Sequence, residues 1–97
     1  MIPCVAHAGI SFEASMTRDQ ADRLARLMEE ARPTRPGGVL SASLEFHDGR
    51  GRLVAVWQDR DTLDRYLAEA PVPRGTELMR KIGLEPEVTT FDILEFG

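Results

Sequence analysis

Ninety-seven residues suit one domain spanning 1–97 and leave no room for a second hydrophobic core. Sixteen acidic against twelve basic side chains give a formal net charge of −4, which argues against gripping nucleic acid or an anionic membrane through a basic surface. Cys4, the single cysteine, excludes an internal disulfide and a cysteine-rich zinc site. The longest apolar run, Leu53 to Trp57, falls far short of the ~20 residues of a membrane span or the ~7–15 of a signal-peptide core, so a cytoplasmic protein is expected.

Residues Cys4 to Glu13 alternate, with Cys4, Ala6, Ala8, Ile10 and Phe12 on one face and Val5, His7, Gly9 and Ser11 on the other. That period of two predicts a strand with one better apolar face. Thr17 and Gln20 have capping-box spacing and open a helix whose inward stripe is Ala21, Leu24, Leu27, Met28 and Ala31. Arg18/Asp22, Asp22/Arg26 and Arg26/Glu30 stand four apart on its wet side. The cluster Pro33 to Gly38 breaks the helix.

A hairpin follows. Leu40, Ala42, Leu44 and Phe46 share one face, Asp48-Gly49-Arg50-Gly51 turns the chain, and Leu53, Ala55 and Trp57 return on the same face. The expected register sets Phe46 opposite Leu53, Leu44 opposite Ala55 and Ala42 opposite Trp57. Asp59 or Asp61 caps a second helix carrying Leu63, Tyr66, Leu67 and Ala70. Beyond Pro71 to Gly75, Thr76 is placed to cap a short helix with Leu78, Met79 and Ile82, stopped by Gly83. A last strand runs from about Val88 to Phe96.

The order β-α-β-β-α-(α)-β, with right-handed crossovers, predicts an α+β, ferredoxin-like domain: a four-stranded antiparallel sheet with helices on one side. The bare face would show Val5, Val54, Val56 and one set from the last strand, mixed with His7, Ser41, Ser43, Glu45 and His47. A face so rich in β-branched apolar residues predicts a second copy packed on it, a homodimeric α/β barrel.

RNA-recognition modules share this topology, but they need exposed aromatic rings on the third strand. Arg50-Gly51-Arg52-Leu53-Val54-Ala55-Val56-Trp57 supplies none there. Cys4 and His7 point to opposite faces of a strand and make no dyad. No G-x-S-x-G elbow accompanies Ser41 or Ser43, and two histidines without a third ligand make no metal site. Trp57 ends the third strand on the helix-facing side, below Tyr66 and Leu67. There it either plugs the core or walls a pocket between sheet and helices, with the Pro71–Gly75 connection as a mouth or lid.

The stretch from Leu53 to Leu67, a strand ending in Trp followed by an acidic cap and an amphipathic helix, resembles the antibiotic biosynthesis monooxygenase superfamily of dimeric α/β barrels. The resemblance implies a homodimer with one pocket per subunit, between sheet and helices, taking a small apolar or aromatic molecule. It implies either cofactor-free oxidation of aromatic phenols by dioxygen or haem degradation. Haem-degrading members use an Asn on the first strand and a His on the helical segment after the Trp. This chain contains no Asn, and Thr76 falls near the His position, so that branch is disfavoured. The expected activity is a cofactor-independent monooxygenase acting on a small aromatic or quinol-type substrate. Trp57, Tyr66 and His7 are its candidate catalytic residues, and Phe12, Leu24, Met28, Phe46 and Leu67 its candidate substrate-binding residues. No metal or other cofactor is expected. The alternative is a non-catalytic barrel that binds a small apolar ligand or serves a regulatory or stress role.

Overall fold

A computed structural model describes residues 4–95 of the chain. Its elements are β1 (Cys4–Ser15), α1 (Arg18–Ala31), a 3-10 turn (Arg32–Thr34), β2 (Val39–His47), β3 (Arg50–Trp57), α2 (Arg60–Glu69), α3 (Arg74–Arg80) and β4 (Glu87–Glu95). The sheet has four antiparallel strands in the order β2-β3-β1-β4, the ferredoxin-like arrangement expected from the alternation of strands and helices.

Local chemistry sets the helix starts. Thr17 accepts from the Gln20 amide, and the Gln20 side chain accepts from the Thr17 amide, a complete capping box. Of the two aspartates that could cap α2, Asp59 does so, accepting from the Thr62 N–H at 2.7 Å. The third helix corrects the reading of Thr76 as its cap. Pro73 holds the N-cap, and Thr76 lies buried inside the helix. Proline serves there because the first turn has no need of its N–H. Of the three pairs expected on α1, an ion pair forms between Arg18 and Asp22 at 3.0 Å. Arg32 pairs with Glu29 at its C-terminal end.

The hairpin keeps the expected faces but slides by two residues. Asp48 and Gly49 alone make the turn, both at positive φ (48° and 73°), the geometry whose twist matches antiparallel strands. Arg50 and Gly51 therefore already belong to β3. Phe46 faces Gly51, Leu44 faces Leu53 and Ala42 faces Ala55.

Two bulges also interrupt the alternation read from the sequence. One falls at Leu40, so that Val39 faces Trp57 and Leu40 is 50% exposed. The other falls at Ala6, where His7 pairs with Ile93 but Val5 pairs with Leu94 and Cys4 with Glu95. The alternation from Cys4 through Phe12 is thus broken at Ala6. The side chains of Cys4 and Val5, and Phe96 altogether, lie outside the described residues.

The core lies between the sheet and the three helices. Ile10 and Phe12 of β1, Leu53 and Trp57 of β3, Leu24 of α1, Leu63 of α2 and Met79 of α3 are all buried. The helices cover the central strands β1 and β3 more fully than the edges: no residue of β2 is buried, and Val88 and Leu94 of β4 stay 43% and 46% exposed. Arg60 bridges part of that gap, donating from Nε and Nη2 to Asp92 Oδ1 at 3.0 and 2.8 Å. On the opposite face, Phe91 lies across Gly9, where a Cβ would collide with its ring. Val54, Val56 and Ile93 are half-buried beside it.

Candidate functional site

A cavity of about 350 Å³ opens between the sheet and the helices. The hairpin register explains its position. Ala42 and Ala55 stand opposite each other on the helix-facing side, and two methyl groups fill little of the space beneath the helices. Larger neighbours wall the gap: Ile10, Phe12 and Trp57 on the sheet, Met28 on α1, Tyr66 on α2 and Leu78 on α3. Trp57, Tyr66, Met28 and Phe12 thus all border a void.

Trp57 is 2% exposed, so it belongs to the core and walls the cavity together. Its indole is held from two sides. The Tyr66 ring lies 4.9 Å away between centroids, tilted by 36°. Against the six-membered ring sits Gly38, at φ 98°, where a Cβ would come within 3.3 Å of the indole and 2.6 Å of the Thr62 methyl. Only glycine takes this backbone conformation without strain and allows so close an approach. Gly38, which reads as turn punctuation, therefore also positions the indole.

Two hydrogen-bond donors on these rings are unspent. Trp57 Nε1 is buried with no partner among the described residues. Tyr66 Oη accepts from the Arg74 backbone N–H at 2.8 Å, which occupies the oxygen as an acceptor and leaves its own proton to give. An unpaired buried N–H costs free energy, and this one is closed off from the cavity as well as from solvent, so of the two donors the Tyr66 hydroxyl is the one left for a ligand.

The mouth is charged. Arg32, Arg35 and Arg74 border it with Glu29, the one carboxylate among the described lining residues. Arg74 donates to the carbonyls of Ala31 and Thr34 and to the Thr34 hydroxyl, tying the start of α3 to the end of α1. None of these four residues was singled out from the sequence. The stretch Pro33-Thr34-Arg35-Pro36 read there as punctuation alone.

The remaining expected site residues lie elsewhere. Leu24 is fully buried in the core, and neither it nor Phe46 nor Leu67 borders the cavity. His7 stands on the outer face of the sheet, its Nδ1 3.0 Å from the Gln58 carbonyl, and has no place in the lining. His47 is solvated at the hairpin rim, 3.3 Å from Asp48. Among the described residues, no three His, Cys, Asp or Glu side chains come together to hold a metal ion. No helix there is long and apolar enough to cross a membrane.

Several solved structures share this fold. A Nitrosomonas europaea protein of unknown function aligns with a TM-score of 0.63 over 96% of this chain and 94% of its own, at 14% identity. A Chloroflexus aurantiacus protein proposed to be an antibiotic biosynthesis monooxygenase aligns at 0.59, over 94% and 96%, with 15% identity. SnoaB, a cofactor-independent oxygenase from Streptomyces nogalater, aligns at 0.53 over 88% of each chain, with 19% identity. The structural neighbours therefore include proteins of the type that the strand–Trp–helix segment resembles, and identities this low speak for the fold alone. No family model matches the chain, and no curated protein matches it in sequence.

Proposed function

We propose that the protein is a cofactor-independent monooxygenase that oxidises a small phenol- or quinol-type aromatic in the cavity, working as a homodimer. The observation that carries this reading is the Tyr66 hydroxyl, whose proton has no acceptor among the described residues, beside the Trp57 ring on the cavity wall. A donor without an acceptor suits a ligand oxygen that gains negative charge during reaction. The cavity volume fits a flat aromatic of two or three rings, since ligand pockets begin at about 300 Å³.

In this mechanism the Tyr66 hydroxyl stabilises the phenolate as the substrate loses its proton, and the Trp57 indole packs against the substrate ring. Glu29, the one carboxylate among the described lining residues, is the acceptor that this reading assigns to that proton. The phenolate reduces dioxygen directly, the carbon–oxygen bond forms, and loss of water leaves the quinone. For anthrone the balance is one dioxygen consumed, one carbonyl and one water formed. The SnoaB activity and the shared fold agree with this reading. So does the half-buried outer face of Val54, Val56, Phe91 and Ile93, which suits a second copy.

The test is oxygen uptake with anthrone in air, corrected for spontaneous oxidation. Wild type is expected to exceed both Trp57→Phe and Tyr66→Phe. Uptake no faster than that of the Trp57→Phe variant would count against catalysis. The scarcity of acid–base groups around the cavity favours one alternative, a barrel that binds such aromatics without turning them over. Saturable anthrone binding without oxygen uptake would select it.

A further inference from the structure

We propose that the cavity mouth selects aromatic ligands bearing a carboxylate, and that Arg35 is the residue that reads it; the inference rests on the cavity being a site for phenol-type aromatics. Three arginines and one glutamate border an apolar cavity in a chain whose formal net charge is −4. Such a chain repels anions overall, so a local excess of cation at one opening is a distinct feature of its surface.

The three arginines are not equivalent. Arg32 is spent on Glu29 at 3.4 Å, and Arg74 on the carbonyls of Ala31 and Thr34. Arg35 has no carboxylate within ion-pairing distance among the described residues, and its guanidinium makes no hydrogen bond there.

The backbone holds Arg35 in place. Pro33 lies in the 3-10 turn before it, the Arg35 N–H donates to the Arg32 carbonyl at 3.3 Å, and Pro36 follows. A residue before proline is confined to extended conformations, and Arg35 sits at φ −68°, ψ 147°. A charge on so stiff a segment loses little backbone entropy when it meets a ligand. Its planar fork matches a carboxylate. The arrangement therefore offers the Tyr66 hydroxyl inside for a phenolic oxygen and one free guanidinium at the rim for an acid group.

Isothermal titration calorimetry with three probes tests this: 6-hydroxy-2-naphthoate, its uncharged amide 6-hydroxy-2-naphthamide, and 2-naphthol. Wild type is expected to bind the naphthoate about tenfold tighter than the amide, with a preference that shrinks as salt rises. Arg35→Gln should bring that ratio to within about twofold. Arg23→Gln, which removes an exposed arginine outside the cavity lining, should leave the ratio as in wild type. A wild-type ratio near one, or a ratio that survives Arg35→Gln, overturns the assignment. Naphthoate binding without naphthol binding would keep the acid site and remove the phenol reading. Naphthol binding with no preference for the acid would do the reverse, and binding of neither overturns both.

Discussion

The Arg74 backbone N–H donates to the phenolic oxygen of Tyr66 at 2.8 Å, so the first residue of α3 fixes the direction in which a side chain of α2 can donate. Tyr66→Phe should leave that part-buried N–H unpaired and lower stability by about 1–3 kcal/mol, read from urea denaturation. Oxygen uptake with anthrone should fall together with stability, while the ring stays packed on Trp57. Unchanged stability would show that the bond does not persist in solution.

Gly75 meets the face of Phe12, and a methyl group there would overlap the ring. Phe12 is 3% exposed, and the open space beside it is the cavity that it walls. Gly75→Ala should therefore cost about 1–3 kcal/mol and reshape the cavity that both residues line. Gly37→Ala, with nothing within 4 Å of the new atom, should change stability by less than about 0.5 kcal/mol. Equal effects from the two substitutions would contradict the packing.

The outer sheet face can be tested separately from the cavity. Phe91 covers Gly9, and the Arg52 guanidinium carbon lies 6.0 Å from the centre of its ring. Val56→Asp would place a charge in the middle of this face. In sedimentation velocity it should turn a dimer into a monomer, while ligand binding in the cavity changes little. Wild type that sediments as a monomer at micromolar concentration would remove the homodimer from the proposal.

Acid should loosen the fold through two exposed carboxylates. Hydrogen bonding and charge from Arg80 hold Glu85 below its usual range, and bonds from the Thr62 hydroxyl and N–H do the same for Asp59. A carboxylate that ionises more readily when folded stabilises the protein above its unfolded pKa. That contribution disappears as pH falls through the folded value. The urea midpoint should accordingly drop below about pH 4, and the gap between wild type and Glu85→Gln should close on acidification. A gap of constant size from neutral pH to strong acid would exclude the Arg80–Glu85 pair as its cause.

Local signals in the sequence carried most of the fold. Thr17 and Gln20 announce their capping box, the strand faces follow from alternation, and Asp48-Gly49 marks the hairpin. Register was less legible. The turn motif runs on through Arg50-Gly51, and nothing local says that two residues suffice. Bulges at Ala6 and Leu40 arise from how two strands meet, so neither strand records them alone. The site followed the same division. A helical stripe tells that Leu24 and Met28 face inward, but not which of them meets packed neighbours and which a void. That void depends on Ala42 meeting Ala55, a pairing two residues away from the expected one. Arg35 was hidden because a proline-flanked arginine reads as a turn until the cavity beside it is known.

Trp57 is the chain's one tryptophan, and Tyr66, its neighbour at 4.9 Å, is the one tyrosine. Every photon emitted by indole in this protein thus originates at the cavity wall, with a single phenol beside it to pass on excitation. The site carries its own optical gauge. A molecule entering the cavity should alter the intensity or colour of one homogeneous emission, without a label and without background from elsewhere in the fold.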